Sequence, residues 1–172
     1  MSVQKTKNLW PAIRANLRLA AKSSVAMGFP GESPKSKKLH KNENPNYAGT
    51  DQLTMVEVAI RNEFGTGPGV SPGVIARPFV KTAMERHGAD LQKGAADQLA
   101  MISRGEQTTH RALSGIGKMG ADKIQATIVD AKSWARDNPD HVKAKKRSTT
   151  PLIDSGAMRQ AVTYKVRMGG AS

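Results

Sequence analysis

Asn62-Glu63-Phe64-Gly65-Thr66 and Ile75-Ala76-Arg77-Pro78-Phe79, separated by Gly67-Pro68-Gly69-Val70-Ser71-Pro72-Gly73-Val74, form the stretch on which the reading of the fold turns. The first segment ends an apolar, helix-patterned run at a glycine. Gly65 stands where a helix C-terminus calls for a left-handed residue, a conformation that costs glycine least. Arg77 precedes a proline, which pushes it toward extended backbone. Pro78 suits the first turn of a helix, where its missing N–H is not needed. Two helices joined by a loop with fixed shoulders are expected here. The Gly67–Gly73 loop, nearly free of charge, reads as a shape-based docking element.

Upstream, Thr50-Asp51 is expected to cap a helix over about residues 51–64. Leu53, Val56, Ile60 and Phe64, spaced 3-4-4, are its apolar stripe. Phe64 and Phe79 are both assigned to the core. Downstream, residues 78–103 have the clearest helical period, with Val80, Ala83, Met84, His87, Leu91, Ala95, Leu99 and Ile102 on one face. Gly88 and Gly94 weaken that helix. His87 reads as a buried, hydrogen-bonded structural histidine, since no second ligand stands at metal-binding spacing on its face. Arg104-Gly105 closes the helix with a cation and a glycine. Residues 108–133 repeat the pattern through Leu113, Ile116, Gly117, Gly120, Ile124 and Ile128, and small Gly117, Gly120 and Ala121 suit close helix approach. The short link predicts an antiparallel αα-hairpin, with Trp134 over its open end.

The two ends of the chain are expected to meet. Residues 8–22 read as an amphipathic helix capped by Asn8, with Leu9, Trp10, Ile13, Leu17, Ala20 and Ala21 on one side and Pro11 tolerated in its first turn. Its basic, acid-free character also fits a presequence or a membrane-surface helix, while packing on a core is the commoner use. Ser24–Phe29 reads as a strand closed by Pro30-Gly31. Residues 161–168 alternate, with Val162, Tyr164, Val166 and Met168 on one face, as a half-buried strand does. Each strand needs a partner, so a small antiparallel sheet between them is predicted. Before it, Asp154 or Ser155 can cap a turn over Ala157–Gln160. Asp137–Asp140 is a turn. The fold class is therefore α+β, one domain over residues 1–172 with basic arms at about 32–48 and 140–150.

Net charge is +13, and it is unevenly spread. Residues 1–50 hold nine Lys and Arg against Glu32 and Glu43, and residues 132–172 hold nine against Asp137, Asp140 and Asp154. The middle of the chain balances. Basic peripheral segments around a neutral body point to polyanions or acidic protein surfaces. Lys35, Lys37, Lys38 and Lys41, and Lys143, Lys145, Lys146 and Arg147, are the candidate contacts to DNA or to a neighbouring subunit, against the plainer reading of solvated loops. No apolar run approaches the ~20 residues that span a bilayer, so no membrane partner is expected.

Catalytic signals are weak throughout. There is no cysteine, which excludes disulfides and thiolate chemistry. Gly115-Ile116-Gly117-Lys118-Met119-Gly120 spells a dinucleotide fingerprint, but no strand precedes it and its glycines sit inside a helical pattern. There is no phosphate-binding P-loop and no nucleophile elbow. His40, His87, His110 and His141 are dispersed, and no acidic pair suggests acid/base work. No catalytic residue, cofactor or metal is expected. Zinc-finger, basic-zipper and RNA-recognition motifs are missing as well, and aromatics are few for base stacking.

Two segments carry a family resemblance. Val58-Ala59-Ile60-Arg61-Asn62-Glu63-Phe64-Gly65-Thr66 followed by Ile75-Ala76-Arg77-Pro78-Phe79-Val80, and Pro151-Leu152-Ile153-Asp154-Ser155-Gly156-Ala157-Met158 followed by Val162-Thr163-Tyr164-Lys165-Val166, resemble the paired signatures of tail-completion (neck) proteins of tailed bacteriophages. That family includes minor tail proteins of lambda-like phages and virion-morphogenesis proteins of Mu-like phages. Val74 stands where the family pattern has a proline-linked isoleucine, and Ser155 and Met158 replace its usual Thr and Leu.

The resemblance implies a structural virion protein at the head–tail junction, assembled in the host cytoplasm. It implies a homo-oligomeric ring, usually of six copies, that joins the tail tube or terminator to head-completion proteins around the DNA channel. Glu63, Phe64, Gly65, Arg77, Pro78, Phe79, Asp154, Ser155 and Gly156 are its motif positions here. Arg77 is expected to pair with Glu63 or Asp154, or to form an exposed pair of little energetic worth. The alternative function is a basic nucleic-acid-binding accessory protein, recognisable by affinity that falls steeply with salt. A morphogenetic or lytic hydrolase is a third reading, disfavoured by the scattered acids and histidines.

Overall fold

The longest elements pack on each other. In the computed structural model, which describes residues 8–31, 33–37, 53–67, 73–140, 149–153 and 155–169, helix α4 spans Phe79–Ser103 and helix α5 spans Thr109–Val129. They run antiparallel, as the pairs Arg86–Asp130, Asp90–Lys123, Gly94–Met119 and Gln98–Gly115 step in opposite directions along the two. The connection between them is tight. Gly105 takes φ +74°, its N–H donates to Ile102 O at 2.9 Å and the Glu106 N–H to Met101 O at 2.9 Å, a Schellman closure. Thr108 then caps α5 by accepting the Arg111 N–H at 3.4 Å. The predicted helix over 108–133 divides in two. Regular α-helix stops at Val129, and Ala131–Ser133 forms a 3-10 turn. That turn lets the Trp134 indole N–H reach Thr127 O at 2.9 Å and close the end of the hairpin.

Strands β1 (Ser24–Gly28) and β2 (Thr163–Arg167) pair antiparallel, with Ser24 opposite Arg167 and Gly28 opposite Thr163. The chain ends do meet in one two-stranded sheet, and the protein is α+β. This sheet lies on α5. A Cβ added at Gly117 would stand 2.5 Å from the Tyr164 ring and 2.7 Å from Val25, and one at Gly120 would overlap the Met27 sulfur. The small residues of α5 thus admit the sheet, which corrects the expectation that they admit α4. Close helix–helix approach occurs at Gly94 instead, under the Met119 side chain.

Helix α1 (Trp10–Ala20) starts under the side chain of Asn8, whose Oδ1 accepts the Trp10 N–H at 3.0 Å. It buries none of its residues. A polar latch holds it: the Thr109 N–H donates to Asn16 Oδ1 at 3.0 Å and the Thr109 hydroxyl to Asn16 O at 2.6 Å, with Thr109 fully buried. Helix α2 (Pro34–Lys37) stands within what reads as a loop. Helix α3 (Met55–Phe64) opens with a capping box: the Glu57 N–H donates to the Thr54 hydroxyl, and the Thr54 N–H donates to the Glu57 carboxylate at 2.7 Å. The cap is therefore Thr54, not Thr50-Asp51, which lies outside the described residues. Backbone and side-chain hydrogen bonds from Thr54 hold the Glu57 carboxyl below its ordinary value. Helix α6 (Ala157–Ala161) follows Gly156 at φ +78°, with the Ala157 N–H donating to Ser155 Oγ at 3.4 Å.

One core joins these pieces. Phe79, Ala83, Ile124, Ile128 and Ala131 from the hairpin region meet Ala59 from α3, and Leu152, Met158 and Val162 from the C-terminal segment. Phe29 packs edge-on to Phe79, ring centres 6.0 Å apart. His87 is half-buried on α4.

Two glycines make opposite predictions. Gly88 lies mid-helix with nothing within 4 Å of an added Cβ, so Gly88→Ala is expected to stabilise by about 1 kcal/mol through helix propensity alone. Gly117→Ala gains the same propensity but drives its methyl into Tyr164 and Val25, and a net loss of about 1–2 kcal/mol is expected. Urea unfolding of the two variants checks the opposite signs.

Candidate functional site

The segment between α3 and α4 is a bracket built of polar contacts. Glu63, on the last turn of α3, sends its carboxylate to the start of α4, where Oε2 accepts the Val80 N–H at 2.9 Å and Oε1 the Lys81 N–H at 3.1 Å. The Phe79 N–H donates to Arg77 O at 2.7 Å across Pro78, whose φ −74° and ψ 72° make an inverse γ-turn. The Thr82 N–H reaches Pro78 O at 2.9 Å, the first bond of the helix ladder. All the N–H groups that a helix start leaves orphaned are thus satisfied, two of them by a carboxylate from another helix, which also faces the positive end of the helix dipole.

Arg77 secures the other side. It is 5% exposed. Its Nε–H donates to Arg136 O at 2.9 Å and one terminal nitrogen to Asn138 Oδ1 at 2.9 Å. Burial pushes its guanidinium below the usual arginine value, Asp137 pulls it back up, and Arg136 adds a smaller push down. The expected pairing with Glu63 does not occur, because Glu63 is committed to α4. Asp154 lies outside the described residues. The buried cation is held by carbonyl oxygens and an amide oxygen instead, satisfying it with no buried carboxylate.

Main-chain bonds lock the shoulders together. The Arg77 N–H donates to Asn62 O at 2.6 Å, the Thr66 N–H to Val74 O at 3.0 Å, and the Val74 N–H to Thr66 Oγ1 at 2.7 Å. Gly65 turns the corner at φ +75°, ψ −178°, a region open essentially to glycine, and a Cβ there would stand 3.0 Å from Val74 O and Ala76 N. Residues 68–72 of the loop, and so most of the expected docking element, lie outside the described residues.

Of the motif residues, Phe79 is in the core and Phe64 is not. Phe64 is 76% exposed and Ile60 50% exposed. The α3 stripe Val56, Ile60, Phe64 faces outward, and the helix buries Met55 and Ala59 instead. The expectation of a core Phe64 is overturned because α4 and α6 take the opposite side of α3. Ser155 and Gly156 shape the entry to α6 as described. Pro151 is fully buried, and Leu152 takes φ +64° to place its side chain in the core. Lys35 and Lys37 are exposed on α2. Lys38, Lys41, Lys143, Lys145, Lys146 and Arg147 lie outside the described residues.

Residues that sequence reasoning missed are Asn138, buried as the acceptor of Arg77, and the Asn16–Thr109 latch. Asn138 sits between Asp137 and Pro139, where the turn signal hides a buried role. A second exposed apolar face lies on α1, where Trp10 is 60% exposed and Leu9 and Leu17 are also open to solvent. A groove of about 310 Å³ lined by Gln98, Met101, Glu106, Gln107, Arg111 and Gly115 runs beside the α4–α5 turn. Its Gln107 amide is tied to Gln98 O and Oε1. Among the described residues no three His, Asp or Glu side chains stand together to hold a metal ion, and no helix is long and apolar enough to cross a membrane.

Comparisons with family models, with curated proteins and with solved structures returned no match.

Removing either half of the bracket has a predicted cost. Arg77→Ala strands the Asn138 amide oxygen and the Arg136 carbonyl, and is expected to destabilise by about 2–4 kcal/mol. Arg77→Lys recovers little, because an ammonium cannot span the fork. Glu63→Ala is expected to cost about 1–2 kcal/mol, the range for losing a helix cap. Urea midpoints measure all three, and an Arg77→Ala midpoint equal to wild type contradicts the assignment.

Proposed function

We propose that the protein is a structural component of the neck of a tailed bacteriophage, acting by assembly and not by catalysis. In this reading several copies, six by the family resemblance, form a ring around the DNA channel, joining the tail tube or terminator to the head-completion proteins. One observation carries it. The two sequence segments that resemble neck proteins, far apart in the chain, are built into a single core: Ala59 and Phe79 of the first pack with Leu152, Met158 and Val162 of the second. The polar residues of those segments are also spent on architecture. Glu63 caps a helix, Arg77 ties a loop, and Ser155 starts α6. Exposed apolar faces on α1 and α3 give such a protein surfaces on which to assemble.

Immunogold labelling of purified virions tests the reading. Label is expected at the head–tail junction of each particle. Virions that lack the protein, or that carry it elsewhere, contradict it.

A further inference from the structure

The layer that the two ends of the chain lay over α5 carries cations and no acid. Thr109 of α5 bonds Asn16 of α1. Gly117 and Gly120 lie under Val25, Met27 and Tyr164 of the sheet, and Ile124 under Gly28. These four α5 positions recur at helical spacing, so α1 and the sheet cover one side of that helix. Residues 8–31 and 155–169 contain no Asp or Glu, and every described acidic residue falls between Glu57 and Asp140. On α1, Arg14 and Arg18 are exposed on the side turned away from Ile13 and Asn16, which dock the helix. Lys22, four residues further on, is exposed as well. Here α1 meets the end of β2: Ser23 Oγ accepts the Gly169 N–H at 2.9 Å, and a Cβ at Gly169 would overlap the Lys22 carbonyl. Ser24 stands opposite Arg167 and Ala26 opposite Lys165. Val25, Met27 and Tyr164 face α5, so alternation puts Arg167 and Lys165 on the outer face of the sheet, the first exposed and the second half-buried. Successive cations are about 6 Å apart along α1 and its final turn, and about 7 Å apart along the strand.

We propose that Arg14, Arg18, Lys22, Arg167 and Lys165 form a row that binds the phosphate backbone of duplex DNA without reading its sequence. This goes beyond the neck reading and does not depend on it. Like charges at i, i+4 are unfavourable on an isolated helix, and α1 stacks three of them, Arg14, Arg18 and Lys22, with no acid in its own segment. A polyanion laid along the row offsets that repulsion and releases its own counterions. The even step of the row suits a partner whose charges repeat regularly, as phosphates do. Three of the five cations are arginines, whose planar fork matches phosphate oxygens. A lipid surface fits less well. Trp10 and Leu17 flank Arg14, four residues before it and three after, so cations and apolar groups are intermixed on the exposed side of α1. A helix lying in a lipid interface separates them onto two faces. Contacts to phosphate fix position and carry no sequence information, so no base preference is implied.

Fluorescence anisotropy of the full chain with two labelled duplexes of unlike sequence, over a range of salt, tests this. Wild type is expected to bind both alike, with log K falling linearly in log salt. Arg14→Gln, Arg18→Gln and Arg167→Gln alter exposed side chains, and circular dichroism confirms that each stays folded. Each is expected to make the salt slope shallower by about 1, and the three together by about 3. Lys81→Gln and Lys132→Gln remove exposed cations at the end of the hairpin away from α1, and are expected to leave the slope unchanged. No binding at low salt, a slope untouched by the three row substitutions, or an equal effect from Lys81→Gln and Lys132→Gln overturns the proposal. So does row-dependent binding to phosphatidylserine vesicles or to an acidic peptide with none to the duplexes, the result for a lipid surface or an acidic protein partner. Virion labelling bears on the neck reading alone, and the salt slopes bear on this row alone.

Discussion

The structure depends on a carboxylate reaching across a loop to begin a helix. Glu63 belongs to α3, yet its two oxygens serve Val80 and Lys81 of α4. A helix start that lacks donors' partners is costly in a protein interior, and Phe79, the first residue of α4, is completely buried. Pro78 contributes its carbonyl and no donor, and the γ-turn around it deals with the Phe79 N–H. Arg77 then uses its fork to bind the carbonyl-rich segment after the hairpin. Four parts of the chain are thereby fixed to one another: α3, the bracket, the first turn of α4 and residues 136–138. The core around Phe79 can close only with these in register.

The same arrangement explains which parts of the fold were legible in the sequence. The hairpin was legible because Leu113, Ile124 and Ile128 leave one unambiguous face and Gly105 a sharp stop. The sheet was legible because 161–168 alternates and has one candidate partner. The helix start at Phe79 and the corner at Gly65 follow from local backbone chemistry. By contrast, the buried side of α3 was not legible. Its largest apolar residues, Ile60 and Phe64, share a stripe, but the neighbours that fill the core need the small Ala59 and the deep Met55. Helical period identifies faces, and tertiary packing chooses among them. The partners of Glu63 and Arg77 were illegible for a related reason. Opposite charges in the two motif segments suggest a pair, whereas here Glu63 and Arg77 each find backbone or amide groups that only the folded chain brings near.

An outward α3 stripe has a physical consequence. Phe64, 76% exposed, and Ile60, 50% exposed, leave an apolar patch on the outer side of α3. The bracket holds that helix rigidly, since α3 is clamped at Glu63 and at Asn62 O. One exposed apolar face lies at one end of α4 and another, on α1, at the other end.

Amide hydrogen exchange at Val80 and Lys81 tests the Glu63 cap most directly. First-turn amides of a helix ordinarily exchange fast, having no helical acceptor. The account predicts that these two are protected in wild type and become fast, selectively, in Glu63→Ala, which removes both acceptor oxygens, while Ile124 and Ile128 in α5 stay protected. Rapid exchange at Val80 and Lys81 in the wild-type protein contradicts it.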